Sequence, residues 1–144
     1  MNTKSDLTAH STGLLQGTAY SRLHANLTEI LVPFNLSIPE WKLLGQLYDN
    51  GNIRLNVLSE LLSYDPPMVT KLAKQLEKKQ LLRREIDPTD ERAKIIALTP
   101  SASKLLKQID PIVKKRLGNM LKGITQEELK IYIKVLNVIV NNTG

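Results

Sequence analysis

The stretch LLRREIDPTDERAKIIAL, from Leu81 to Leu98, constrains the fold more than any other. Its two ends are aliphatic with partial period-2 alternation, and Asp87-Pro-Thr-Asp90 between them is turn chemistry. A hairpin is therefore expected over 81–98. Immediately before it, Val69, Leu72, Ala73 and Leu76 recur at helical spacing, as do Leu58, Leu61 and Leu62 before those. The apolar period changes from 3.6 to 2 within a few residues. Two short helices thus run directly into a two-stranded hairpin, and the hairpin tip mixes acids with arginines.

Capping and breaking residues divide the remainder. The first dozen residues read as a polar arm. Leu15, Ala19, Leu23, Leu27, Ile30 and Leu31 give a helix over 11–31, which Pro33 ends. Ser37-Ile-Pro-Glu40 is a capping box, so a helix starts near Ile38 and carries Trp41, Leu44 and Leu47 on one face until Asp49-Asn-Gly-Asn52. A short Ile53-Arg-Leu55 strand follows. Asn56 is the expected N-cap of the next helix, and Ser63-Tyr-Asp65 the turn after it. Asp65 caps the next helix with Pro66 at its first position, where the missing N–H does no harm. Lys78-Lys79-Gln80 ends it. Thr99-Pro100 opens a long helix to about Lys122 that Pro111 should kink and Gly123 stops.

Thr125-Gln-Glu-Glu128 is a second capping box. It starts a last helix with Leu129, Tyr132, Ile133, Leu136, Ile139 and Val140 on one broad face. Ile131, Val135 and Val138 add apolar surface elsewhere. A helix apolar nearly all round needs cover on more than one side, and in a chain of 144 residues a partner subunit is the expected cover.

Two short helices, a tight turn and a wing make the winged variant of helix-turn-helix, whose second helix enters the major groove. The buried stripe of that helix leaves Pro67, Met68, Thr70, Lys71, Lys74, Gln75 and Lys78 outward. Thr and Gln can bond base edges, Lys can bind phosphate or guanine, and Met68 can touch a thymine methyl. Taken alone, the lysines would be an ordinary solvated helix face, with Glu77 pairing to one of them.

The run LNVLSELLSYDPPMVTKLAKQLEKKQLLRREIDPTDERAKIIALTPSASKLL resembles the core of the MarR family of winged helix-turn-helix transcription regulators. The resemblance rests on Val69-Thr-Lys-Leu72, on Leu76-Glu-Lys-Lys79, and on the Asp87…Asp90-Glu-Arg92 wing leading into Leu98-Thr99. It needs no gap over 55–99, and the flanking helices match in order and length. The resemblance implies a fold that is mainly α with a small β-wing, a winged core flanked by N- and C-terminal dimerisation helices. Residues 1–36 would be arm and dimerisation helix. Residues 37–99 would be the DNA-binding lobe, with recognition helix 66–79 and wing 81–98. Residues 100–144 would be linker helix and C-terminal dimerisation helix.

It also implies a cytoplasmic homodimer that represses transcription at a pseudo-palindromic operator in double-stranded DNA. Arg92 would enter the minor groove, with Asp90 bracing it. A small aromatic or anionic effector would weaken the grip on DNA. Three departures stand out. Gln80 follows the recognition helix where glycine is frequent, which predicts left-handed backbone there. Ser63 holds another position that is often glycine, and Glu91 stands where a second arginine is frequent.

The net charge of +6 agrees with a polyanionic partner, nucleic acid before an anionic membrane surface. Residues 100–123 concentrate it: six basic side chains face Asp110 alone, while residues 1–52 are slightly acidic. No apolar run approaches the ~20 residues of a membrane span. The absence of cysteine excludes disulfides, thiol catalysis and thiol metal sites. His10 and His24 are too few for a histidine metal cluster. No nucleophile triad order and no phosphate-cradling glycine pattern is present. Neither enzyme activity, a cofactor nor a metal is expected. Tyr20, Phe34, Trp41, Tyr48 and Tyr132 fall on helices that would surround the family's effector cleft. Core packing is the ordinary role of such rings, and Tyr20, Arg22, His24, Phe34 and Trp41 are the pocket candidates. The rival to a DNA-binding repressor is a winged-helix interaction module that has lost DNA binding.

Overall fold

A computed structural model of the chain describes residues 10–144, so the expected arm lies, through residue 9, outside the described residues. Two compact units are present, one ending at Val113 and the other spanning Lys114–Gly144. The first holds the core. Helix α1 (Thr12–Leu31) passes into a short 3-10 turn, Val32–Phe34, where Pro33 sits. Helix α2 (Ile38–Asn50) has its capping box complete. The Ser37 hydroxyl accepts from the Glu40 amide at 3.2 Å, and Glu40 Oε1 accepts from the Ser37 amide at 2.9 Å. Strand β1 (Ile53–Arg54), α3 (Leu55–Leu62) and α4 (Pro66–Lys78) follow. As expected, Asp65 caps α4, accepting from the Met68 amide at 2.9 Å. Asn56 is not the cap of α3. The helix already starts at Leu55, and Arg54 stands at the cap position with its side chain engaged elsewhere.

Among the described residues three non-glycine positions have positive φ: Asn35 at 57°, Ser63 at 55° and Gln80 at 60°. All three close a helical segment in one way. The residue itself and the next residue donate backwards, Asn35 to Val32 and Leu36 to Leu31, Ser63 to Glu60 and Tyr64 to Ser59, Gln80 to Glu77 and Leu81 to Leu76. This is the Schellman closure, which favours glycine in the left-handed position. Leu36 and Leu81, the residues after two of these turns, are buried in the core, as the closure's hydrophobic contact requires.

Strands β2 (Leu82–Asp87) and β3 (Asp90–Leu98) complete an antiparallel sheet in the order β1-β3-β2. The hairpin turn is tighter than its sequence suggests. Only Pro88 and Thr89 lie between the strands, and β3 begins at Asp90, which the sequence counts with the turn. Ile86 pairs with Lys94 and the next residue, Asp87, with Asp90. Glu91, Arg92 and Ala93 are therefore extra residues in β3, a bulge at the wing tip. The core gathers Leu31, Leu43, Leu44, Leu58, Val69, Leu76, Ile96 and Ile109, all essentially inaccessible. It fills the space between α2, the helix-turn-helix pair and the sheet, so the unexposed stripe of α4 fixes which face that helix presents.

Helix α5 (Pro100–Met120) is unbroken, with Pro111 inside it, and Thr99 accepts from the Ala102 amide at 3.2 Å. It stops two residues short of Lys122, and Gly123 follows at φ +89°. Helix α6 (Gln126–Thr143) carries the second capping box, Thr125 with Glu128. No residue of α6 is buried within the single chain: Ile131, Tyr132, Ile133, Val135, Val138 and Val140 are all about half exposed or more.

Candidate nucleic-acid interface

Helix α4 forms where it does because Asp65 caps it, Pro66 and Pro67 fit its first turn, and Val69, Leu72, Ala73 and Leu76 sink into the core. The opposite face is as the sequence predicts. Pro67, Met68, Lys71, Lys74, Gln75 and Lys78 are exposed, and Thr70 is half-buried. Among the described residues no acid pairs with Lys71, Lys74 or Lys78. The Thr70 hydroxyl donates to Pro66 O at 3.0 Å, which leaves its oxygen lone pairs outward as acceptors.

Glu77 corrects an expectation. It pairs with Arg84 of β2 at 2.7 Å rather than with a lysine of its own helix. That pair ties α4 to β2 and removes the helix's one acid from competition for its lysines. A second tie, which the sequence did not suggest, anchors the helix end. Lys79 Nζ lies 2.9 Å from Glu40 Oε2 and donates to Asn35 O at 2.6 Å. The Glu40 side chain is only 6% exposed.

At the wing tip the acids and arginines take separate tasks. Asp87 is buried and accepts from the Thr89 amide at 2.9 Å and the Thr89 hydroxyl at 2.7 Å. The Arg54 guanidinium grips the same carboxylate, Nε to Oδ2 at 2.6 Å. The Thr89 hydrogen bonds, with Arg54 behind them, hold the Asp87 carboxyl below its ordinary range. Asp90 Oδ1 accepts from the Arg92 amide at 3.0 Å. Arg83 pairs with Glu85 along β2 at 3.0 Å, and Arg92 itself projects into solvent from the bulge. Bulges re-aim side chains out of the regular pleat. Glu91 shares the bulge and is exposed. Nothing in the structure explains the glutamate there.

Two short helices followed by a β-wing are in place, and residues 36–94 match the MarR family model. Over those residues the chain is similar to the MarR family. Among relatives, it is 28% identical over 115 residues to an HTH-type transcriptional regulator, YwaE, of Bacillus subtilis, covering 80% of this chain and 67% of that protein. Its fold matches that of a mutant MarR from E. coli complexed with operator DNA, with TM-score 0.82, 21% identity, and 96% and 99% of the two chains covered. It matches equally well Bordetella bronchiseptica BpsR, whose DNA binding is regulated by 6-hydroxynicotinic acid, at TM-score 0.82, 21% identity and 97% coverage of both chains. The MarR family consists of transcription regulators, not enzymes.

The aromatic and charged pocket candidates fall in different places. Tyr20 and His24 stack with ring centres 5.0 Å apart and line a shallow groove of about 580 Å³ with Ser21, Ala25, Thr28 and Glu29, all on α1. Phe34 and Trp41 do not reach it. Their rings pack against the core, the commoner fate of an aromatic on an amphipathic face. Arg22 is exposed and does not line the groove. Among the described residues no helix is long and apolar enough to cross a membrane.

Proposed function

We propose that the protein is a dimeric, sequence-specific DNA-binding regulator, a repressor whose grip on its operator a small aromatic or anionic effector loosens. The observation that carries this reading is the solvent face of α4. It offers two base-reading groups, Thr70 and Gln75, among three lysines that no acid of the described residues pairs with, and Met68 and Pro67 add apolar contact at its first turn. In this reading Thr70 and Gln75 contact base edges, Lys71, Lys74 and Lys78 contact phosphates or guanine, and Arg92 enters the minor groove beside Asp90. Exposed apolar bulk supports the dimer: Leu14 and Leu15 on α1, and Ile131, Val138 and Val140 on α6, are each surfaces that a second copy would cover. Two recognition helices would then enter successive major grooves ~34 Å apart. Tyr20 and His24 would supply the stacking wall for the effector.

Fluorescence anisotropy with labelled DNA from upstream of the protein's own gene tests the reading. Binding should be tight, weaken steeply with salt as phosphate counterions are displaced, and exceed binding to random DNA of the same length. Arg92→Ala should lower operator affinity about tenfold or more without lowering the unfolding midpoint, whereas Gln75→Ala should cost ~1–3 kcal/mol only on the specific site. Equal affinity for specific and random DNA in all variants would leave an interaction module as the better reading.

A further inference from the structure

Arg54 occupies the cap position of α3 yet gives the helix no cap. Its guanidinium instead reaches a residue 33 positions away, with Nε and Nη2 both 2.6 Å from Asp87 Oδ2 and Nη2 3.3 Å from the Thr89 hydroxyl. In the sheet, β1 and β2 lie on opposite sides of β3, so this side chain spans the central strand to grip the far one at the hairpin turn. The Asp87 carboxylate is buried, and besides Arg54 it is held by the Thr89 amide and hydroxyl. The turn is therefore a closed unit of Asp87 and Thr89 with the guanidinium against it.

The backbone at the tip lacks comparable support. Between the Ile86–Lys94 and Asp87–Asp90 pairs the ladder is interrupted, and Arg92 stands in that interruption. A two-stranded ribbon with a broken ladder flexes. The Glu77–Arg84 pair fixes the ribbon further back, on the middle of β2. At the tip, the reach from Arg54 is the tie to the rest of the lobe. Two guanidinium nitrogens converge on one carboxylate oxygen, and such charge-assisted contacts are the short, strong kind.

We propose that Arg54 is a positioning residue, clamping the wing turn through Asp87 and Thr89 so that Arg92 is held ready for DNA before DNA arrives. The proposal rests on the DNA-binding reading above for its consequence, but the clamp itself is a property of the free protein. Its action is to pre-order the tip, so that less ordering entropy is lost on binding. Arg54 does this without touching DNA, and that distinguishes it from one more phosphate-binding arginine.

Two measurements on the full-length protein test it. In the free protein, Arg54→Ala should speed amide hydrogen exchange at Thr89 and Arg92 about tenfold, the scale of losing a charge-assisted hydrogen bond, while the amides of Leu72 and Leu76 in α4 keep their protection. Arg54→Lys, which keeps the charge but not the two-pronged grip, should fall between and guards against a folding defect in the alanine variant. With operator DNA, Arg54→Ala should lower affinity about as much as Arg92→Ala, and the double variant should be no worse than Arg92→Ala alone, because residues that act through one another are not additive. Unchanged wing exchange overturns the clamp. Additive losses, with the log-log salt slope reduced by about one, overturn it in favour of a direct Arg54–phosphate contact. If the unmodified protein binds no DNA, the DNA-binding reading fails by itself, and the exchange measurement still decides whether the clamp exists.

Discussion

Replacing Glu40 with alanine removes three contacts at once. The Ser37 amide loses the acceptor that completes the cap of α2, and the Lys79 ammonium loses the carboxylate that holds the end of α4. The cap interaction is worth about 1 kcal/mol. A hydrogen bond to a charged group contributes about 1.5–3 kcal/mol. Lys79 is 27% exposed, so water recovers part of that loss, and its bond to Asn35 O survives. The lower end of the range applies, for a total of about 2–3 kcal/mol.

Trp41 adjoins Glu40 and is the only tryptophan, so its fluorescence follows urea unfolding directly. With an m-value of about 2 kcal/mol/M the midpoint should fall by about 1 M at fixed protein concentration, with m itself unchanged. Glu40→Gln keeps an acceptor for Ser37 and loses only the charge, so it should lose about half as much.

The pH dependence separates the two contributions. Burial raises the Glu40 pKa, but the Ser37 amide, Lys79 and the Ser37 hydroxyl outweigh it, and the net shift is below the ordinary 4.5. A carboxyl with a depressed folded-state pKa adds stability above its unfolded value and loses it as pH falls through the folded one. The gap between the unmodified protein and Glu40→Gln should therefore be constant above about pH 5 and close below 4.5. A loss under about 0.5 kcal/mol for the alanine variant, or a gap that persists to the acid limit, would refute the assignment.

Gln80→Gly should stabilise the protein by about 0.5–1 kcal/mol in the same urea assay, because the exposed side chain is lost cheaply and φ 60° suits glycine; a destabilised variant would mean that the side chain contributes contacts. Val138→Glu places a charge on an α6 position that is 49% exposed in the single chain. Light scattering after size exclusion should show the mass fall from dimer to monomer with helicity retained, and an intact dimer would take α6 out of the interface. Leu76→Ala, at a fully buried position, should cost about 2–5 kcal/mol and weaken DNA binding only in proportion to the unfolded fraction.

Most of the helical framework was readable from local chemistry. Ser37 with Glu40, Asp65 with Pro66, Thr99 with Pro100 and Thr125 with Glu128 act within four residues of one another, so their spacing states their role. The buried stripe of α4 was equally legible, and with it the outward row. The left-handed turn at Gln80 followed from its place after the helix, not from the residue itself.

Where the sequence misled or said nothing, the deciding partner lay far away. Arg54 is a strand residue as expected, but its spacing says nothing of the Asp87 carboxylate that its side chain grips. Glu77 reads as a partner for its own helix until Arg84 arrives across the turn. Phe34 and Trp41 pack against the core, the ordinary role the sequence already gave such rings.

The sequence by itself determined the elements, their order and the face that α4 shows to solvent, because periodicity and capping are short-range effects that hold wherever the segment sits. The tertiary structure alone decided the ion pairs that brace the helix and the wing, the bulge that aims Arg92, and which aromatics remain open. Those depend on contacts between residues tens of positions apart, and a carboxylate carries no mark of the arginine it will meet.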